Sequence, residues 1–210
     1  MLALDGAGNM YVAASFYGTV TVAGQVLDQS AGTGSLLLVK VDPACKVLWA
    51  KAFGASESGV SLAGLAADVA GNVVVAANLS GYPVDFGTGP IGPSLTSLSV
   101  GVVFKLGPDG HGLWSHAYPG ALLSHANVSM VDVALDSHGN TVFVASMGVG
   151  GSIKGPPPTS PVPASVDFGG GAVTFGMSLV GARRQRPVRL QRGRLGARGR
   201  RGVLAAEPDD

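Results

Sequence analysis

The chain has 210 residues, 33 of them Gly, and a formal net charge of +1. Its one cysteine, Cys45, excludes an intramolecular disulfide and a cysteine-built metal site. No apolar run reaches the roughly 18 residues that a membrane-crossing helix needs.

The near-zero charge hides two unlike regions. Residues 1–182 carry five Lys and no Arg against nine Asp and one Glu, a net −5. Residues 183–210 carry nine Arg against Glu207, Asp209 and Asp210, a net +6. The first region, rich in Gly, Val, Ser and Thr, predicts many short strands joined by tight turns.

In chain order, the first element is already the end of one. Met1-Leu-Ala-Leu4 occupies the slot that Gly64-Leu-Ala-Ala67 and Asp132-Val-Ala-Leu135 fill further on. The chain is therefore expected to begin inside a repeat, with its natural start missing. No basic segment or cleavage-like stretch reads as a signal peptide.

Asp5-Gly-Ala-Gly8-Asn9 comes next. It returns as Asp68-Val-Ala-Gly71-Asn72 and as Asp136-Ser-His-Gly139-Asn140, first 63 and then 68 residues on. A self-similar unit at this spacing announces a repeat architecture. Each copy is expected to be a tight hairpin turn. Gly supplies a positive φ, Asp accepts a backbone N–H two residues on, and Asn tolerates the left-handed region.

Every turn joins two predicted strands. The first is Val60–Ala67 or Ser129–Leu135, and the second is Met10–Phe16, Val73–Leu79 or Thr141–Met147. A variable Gly-rich connection follows, carrying Val84-Asp-Phe-Gly87 in one unit and Val166-Asp-Phe-Gly169 in another. In unit three residues 148–165 enlarge it with prolines, which favour an extended, solvated loop.

The third and fourth strands align between units one and two. Leu38 to Phe53 matches Val103 to Tyr118, so that Lys40 and Lys105, Trp49 and Trp114, and Phe53 and Tyr118 are each 65 apart. The aromatic pair predicts a packing device between neighbouring sheets. Alternation of apolar residues within the strands is imperfect, as expected where a sheet is covered on both faces. Cys45 stands where unit two has the turn glycine Gly110. It reads as a substituted turn residue under about 1 kcal/mol of strain, rather than as a reactive thiol.

These residues resemble the bacterial beta-propeller repeat family labelled SBBP. Its pattern is Asp-x-x-Gly-Asn-x-Tyr-Val, a variable part, and then Phe-Val-x-Lys-Leu-Asp-x-x-Gly-x-x-x-Trp. Asp5 to Val12 and Val39 to Trp49 follow it; unit two has Val74 for the Tyr and Gly107 for the Asp. The resemblance covers about residues 1–180. It implies an all-β fold of four-stranded antiparallel blades, here about two and a half of them, in a large secreted or surface-attached protein. It supplies no catalytic residues. A weaker similarity to quinoprotein-type propellers rests on Asp42…Lys46-Val-Leu-Trp49, and no quinone cofactor is inferred from it.

The expected organisation is a propeller-type fragment over 1–182, with units of about 1–58, 59–124 and 125–182, and a basic disordered tail over 183–210. Propellers protect their edges with about four to eight blades. This stretch by itself is therefore expected to seek missing blades or to self-associate. The tail occupies the place of the third strand of unit three. The expected cause is a frameshift near residue 182: with CGN arginine codons read one base later, Arg183 to Leu190 can become Gly-Gly-Ser-Ala-Pro-Phe-Val-Phe. Sequencing the locus decides this against an ordinary disordered tail or an evolved nucleic-acid-binding segment, which would lack aromatic residues for stacking.

Chemistry-bearing constellations are sparse. His111 and His138 fall in predicted turns, His116 on an exposed strand position, and His125 near neither, so solvent-facing histidines are expected rather than a metal site. The Asp-x-x-Gly-Asn turns lack the dense ligand run of a calcium loop. Asp132 and Asp136 belong to a strand and a turn, which argues against a paired-carboxylate hydrolase. No catalytic, cofactor-binding or metal-ligating residue is assigned. The expected function is a non-enzymatic scaffold or interaction module for a protein or carbohydrate ligand, extracellular or at the cell surface. The alternatives are a propeller-based hydrolase or lyase fragment, and nucleic-acid binding through the tail.

Overall fold

A computed structural model describes residues 1–29, 34–55, 57–92, 99–119, 126–136, 138–149, 163–167, 172–176 and 204–205. His125, the proline-rich stretch over 150–162 and most of the arginine-rich segment lie outside them. So do the expectations placed on those stretches.

The described residues form an all-β structure of antiparallel sheets. Sheet one contains β1 (Leu2–Leu4), β2 (Met10–Phe16), β5 (Ser35–Val41) and β6 (Val47–Phe53), in the order β1-β2-β5-β6. Sheet two contains β7 (Gly59–Ala67), β8 (Val73–Ser80), β11 (Ser99–Leu106) and β12 (Gly112–Tyr118), each hydrogen-bonded to the next in that sequence. Sheet three has β13 (Ala126–Leu135), β14 (Thr141–Val149) and the two-residue β17 (Leu204–Ala205).

Between the second and third strands the sequence predicted only an irregular connection. A two-stranded ribbon stands there in every unit. These are β3 (Gly18–Val22) with β4 (Gln25–Gln29), β9 (Val84–Asp85) with β10 (Pro90–Ile91), and β15 (Pro163–Asp167) with β16 (Ala172–Gly176). In the second ribbon the Asp85 carboxylate accepts the N–H groups of Gly87 and Gly89, and Phe86 is fully buried. Val84-Asp-Phe-Gly87 is thus a turn with an aromatic anchor.

All five short hairpins at the opposite end share one geometry. In Asp5–Asn9 the Asp5 N–H bonds the Asn9 carbonyl and the Gly8 N–H bonds the Asp5 carbonyl. The same pair of bonds closes Asp42–Lys46, Asp68–Asn72, Gly107–His111 and Asp136–Asn140. This is a three-residue loop whose last residue must be left-handed. Gly8, Gly71, Gly110 and Gly139 have φ between 78° and 85°, and Cys45 has φ 63°. The Asn does something other than expected. None of Asn9, Asn72 and Asn140 has a positive φ; each donates its side-chain amide to the second carboxylate oxygen of its own Asp, at 2.7–2.8 Å.

Sheet two is covered on both faces, which explains its continuous apolar strands. On β8, Val73, Val75, Ala77 and Leu79 join a core shared with Tyr11, Leu36, Leu38 and Phe53 of sheet one. Val74 and Ala76, one register step away, join Val128, Met130, Val133 and Phe143 of sheet three. The strand period of two sends neighbouring residues into different cores. The aromatic pairs bridge the sheets: Phe53 lies 5.3 Å from Phe104, and Tyr118 lies 5.2 Å from Phe143. Burying such a ring contributes roughly 1.5–3 kcal/mol.

Bulges recur at equivalent positions. Register shifts between Leu62 and Gly64 and between Met130 and Asp132, leaving Ala63 and Val131 out of their ladders. Beside the second bulge, the Asn78 amide clasps the backbone of sheet three. Its Nδ2 donates to the Met130 carbonyl at 3.1 Å and its Oδ1 accepts the Met130 N–H at 2.7 Å.

Candidate functional site

The densest polar cluster lies where the turns of sheets one and two meet. Asp5 is placed by its own hairpin. Its Oδ1 accepts the N–H groups of Ala7 and Asn9, and its Oδ2 accepts the Asn9 amide. Lys40, two strands away on β5, brings its Nζ to 3.3 Å from that Oδ2. The ammonium also donates to the Pro108 carbonyl at 3.2 Å and lies 4.9 Å from the centre of the Tyr11 ring. Tyr11 Oη donates to the Gly71 carbonyl of the next unit, and Trp49 Nε1 donates to the Pro108 carbonyl at 2.9 Å.

Burial by itself would raise the Asp5 carboxyl. The Asn9 amide and N–H, the Lys40 ammonium and the Ala7 N–H outweigh it and hold the group below its ordinary value. Burial likewise disfavours the Lys40 charge, but Tyr11 and Asp5 more than compensate and the ammonium is held above its ordinary value. Tyr11 is pushed up, mainly by burial. Every group in the cluster is kept in its resting protonation state and already has partners. The Asp5 and Lys40 side chains are 2% and 5% exposed, which leaves no face for a substrate or a metal ion. The cluster fastens one sheet to the next.

A looser copy lies in sheet two, where Lys105 Nζ is 4.0 Å from Asp68 Oδ2 and Val74 stands in place of Tyr11. In sheet three Asp136 keeps the turn bonds, from the N–H groups of His138 and Asn140 and from the Asn140 amide. No ammonium reaches it among the described residues, and it is exposed. The lysines carried no functional reading in the sequence. Their shared 65-residue spacing was the available signal. For Asn78 the signal was a single amide inside the apolar run Val73–Leu79.

The other chemistry-bearing residues stay apart. Exposed His111 contacts Asp109 of its own turn; exposed His116 lies 5.4 Å from Trp114 and 6.5 Å from Tyr118 along β12. Asp132 accepts the N–H of Val133 at its bulge, and Cys45 is exposed in its turn. Among the described residues no three His, Cys, Asp or Glu side chains converge on one point. Nor do those residues include a helix long and apolar enough to cross a membrane.

A second candidate is the face of sheet one turned away from sheet two, on which Val39 is buried while Leu2 and Leu4 are exposed. Cross-strand register puts Leu2, Leu4, Met10, Val12, Leu37 and Val41 on the side away from sheet two. Leu2 and Leu4 are each 66% exposed, and Leu48 on β6 is 48% exposed. The corresponding residues of sheet two, Val73, Val75, Val102 and Leu106, are 0% exposed because sheet one covers them.

No protein-family model matches the chain, and no curated protein matches it either.

Proposed function

We propose that the chain is part of a β-propeller-type scaffold, similar to the bacterial SBBP repeats, and that it acts by contact rather than catalysis. The observation that carries this reading is the equivalence of two faces. The side of sheet one turned away from sheet two has the same apolar positions as the side of sheet two that sheet one covers. One turn shared by three units, and one four-strand order shared by the first two, support stacking of like sheets, the arrangement of propeller blades. The polar clusters support a fastening role, since their charges are buried in mutual contact. The parent protein is read as secreted or surface-attached, with a protein or carbohydrate ligand held by loops that several blades supply.

Sedimentation of the purified chain tests this. An unmatched apolar sheet face predicts concentration-dependent association, weakened when Leu2 and Leu4 are both replaced by Ser. A monodisperse monomer that melts cooperatively and is unaffected by the two substitutions overturns the reading.

A further inference from the structure

Sheet two receives sheet one through two backbone carbonyls as well as an apolar face. The Gly71 carbonyl, in its first turn, accepts the Tyr11 hydroxyl. The Pro108 carbonyl, in its second turn, accepts Lys40 Nζ at 3.2 Å and Trp49 Nε1 at 2.9 Å. The two turns lie side by side, since a Cβ at Gly71 would stand 3.4 Å from the Pro108 side chain. A carbonyl covered by a neighbouring sheet needs donors of this kind, because an acceptor buried without a partner is costly.

Sheet one carries the same pair. Gly8 and Pro43 stand 63 residues before Gly71 and 65 before Pro108, in turns closed by the same bonds. Gly8 and Gly71 also share their backbone conformation, with φ 78° and 85°. A Cβ at Gly8 would stand 3.5 Å from the Pro43 side chain, so these two turns touch as well. Gly8 and Pro43 are both exposed. They lie at the turn end of the face that bears Leu2 and Leu4, each 66% exposed. Leu65 and Ala67, at the places of Leu2 and Leu4 in sheet two, pack against the core shared with sheet one. An apolar face by itself would accept many sheets. The carbonyls narrow the choice to a sheet whose donors reach them.

We propose that the face of sheet one turned away from sheet two binds a further four-stranded repeat unit with a Tyr, a Lys and a Trp at the positions of Tyr11, Lys40 and Trp49. Its phenol donates to the Gly8 carbonyl, and its ammonium and indole N–H donate to the Pro43 carbonyl. The partner so defined rests on the stacked-sheet reading above. Of the first two sheets, sheet one meets the pattern in full, whereas sheet two has Val74 in place of the phenol.

The register of the chain shows how to supply such a unit. Met1 exchanges backbone bonds with Ala13, and Gly64 stands in the same way opposite Ala76. Joining a copy of residues 1–63 ahead of Met1 of the full chain therefore keeps the period. The added copy carries L2S and L4S, which make its own outer face polar and its peptides distinct by mass. In dilute solution, hydroxyl-radical footprinting is expected to label Leu2 and Leu4 of the original chain severalfold less than without the added unit. Y11F with W49F in the added unit is expected to speed hydrogen exchange of its β2 and β5 amides about tenfold, the loss of two hydrogen bonds of modest net strength. Unchanged labelling of Leu2 and Leu4 overturns the proposal, as does an added unit whose β2 and β5 amides show no protection. Reduced labelling with exchange indifferent to Y11F and W49F overturns the assignment of the two carbonyls. The stacked-sheet reading survives that last result, and falls only by the sedimentation outcome stated for it.

Discussion

Asp5 Oδ2 and Lys40 Nζ lie 3.3 Å apart, though 35 residues separate them in the chain. The turn that creates the Asp5 position is local. The strand that delivers Lys40 is not, and the Lys40 ammonium also donates to the Pro108 carbonyl of the next unit.

Replacing Asp5 by Asn strands the Lys40 ammonium in a buried site, and is expected to cost about 3 kcal/mol at neutral pH. The Asp5 carboxyl is held below its ordinary value of 3.8 in the folded chain. Its contribution is therefore complete above the unfolded value and is lost as pH falls through the folded one. Urea titrations from pH 7 downward should show the gap between the wild type and D5N closing below about pH 4. A gap independent of pH would contradict the linkage.

Cys45 has a left-handed backbone, φ 63°, at the position where the four equivalent turns have Gly. It is a free, exposed cysteine. C45G is expected to raise stability by about 1 kcal/mol, from relief of the Cβ clash, and C45A to leave it nearly unchanged. Chemical denaturation of the three proteins checks this, and an equal effect of Gly and Ala would assign the change to the thiol instead.

Gly64 lies where β7 passes directly under β13. A Cβ there would stand 2.6 Å from the Val133 nitrogen and 3.0 Å from the Asp132 backbone. Backbone has to move to admit it, so G64A is expected to cost about 1–3 kcal/mol. Hydrogen exchange locates the damage: amides of Ala126–Leu135 should exchange faster, while those of β2 and β5 keep their protection.

Much of the local structure was legible in the sequence. Asp-x-x-Gly-Asn names its own hairpin because all the bonds that close it lie within five residues. The positive φ of Cys45 followed from its alignment with Gly110. The first ribbon was legible and was missed, since Thr19-Val-Thr-Val22 alternates and Ala23-Gly24 makes a turn after it; the Pro90 region, with only two pairs, carries no such pattern. The Asn of the turn was misread for a different reason. Left-handed tolerance and carboxylate bonding are both asparagine chemistry, and with Gly already supplying the positive φ, only the second was needed.

From the sequence alone came the turns and the strands they join, because these depend on residues that are neighbours in the chain. Which neighbour each side chain meets was decided by tertiary structure. Val73 and Val74 are adjacent and equally apolar, yet one packs toward sheet one and the other toward sheet three. Lys40 reads as an ordinary strand residue until the stacking of two sheets buries it against Asp5, Tyr11 and Pro108. Only register and sheet stacking carry that information, since both are set by contacts between residues tens of positions apart.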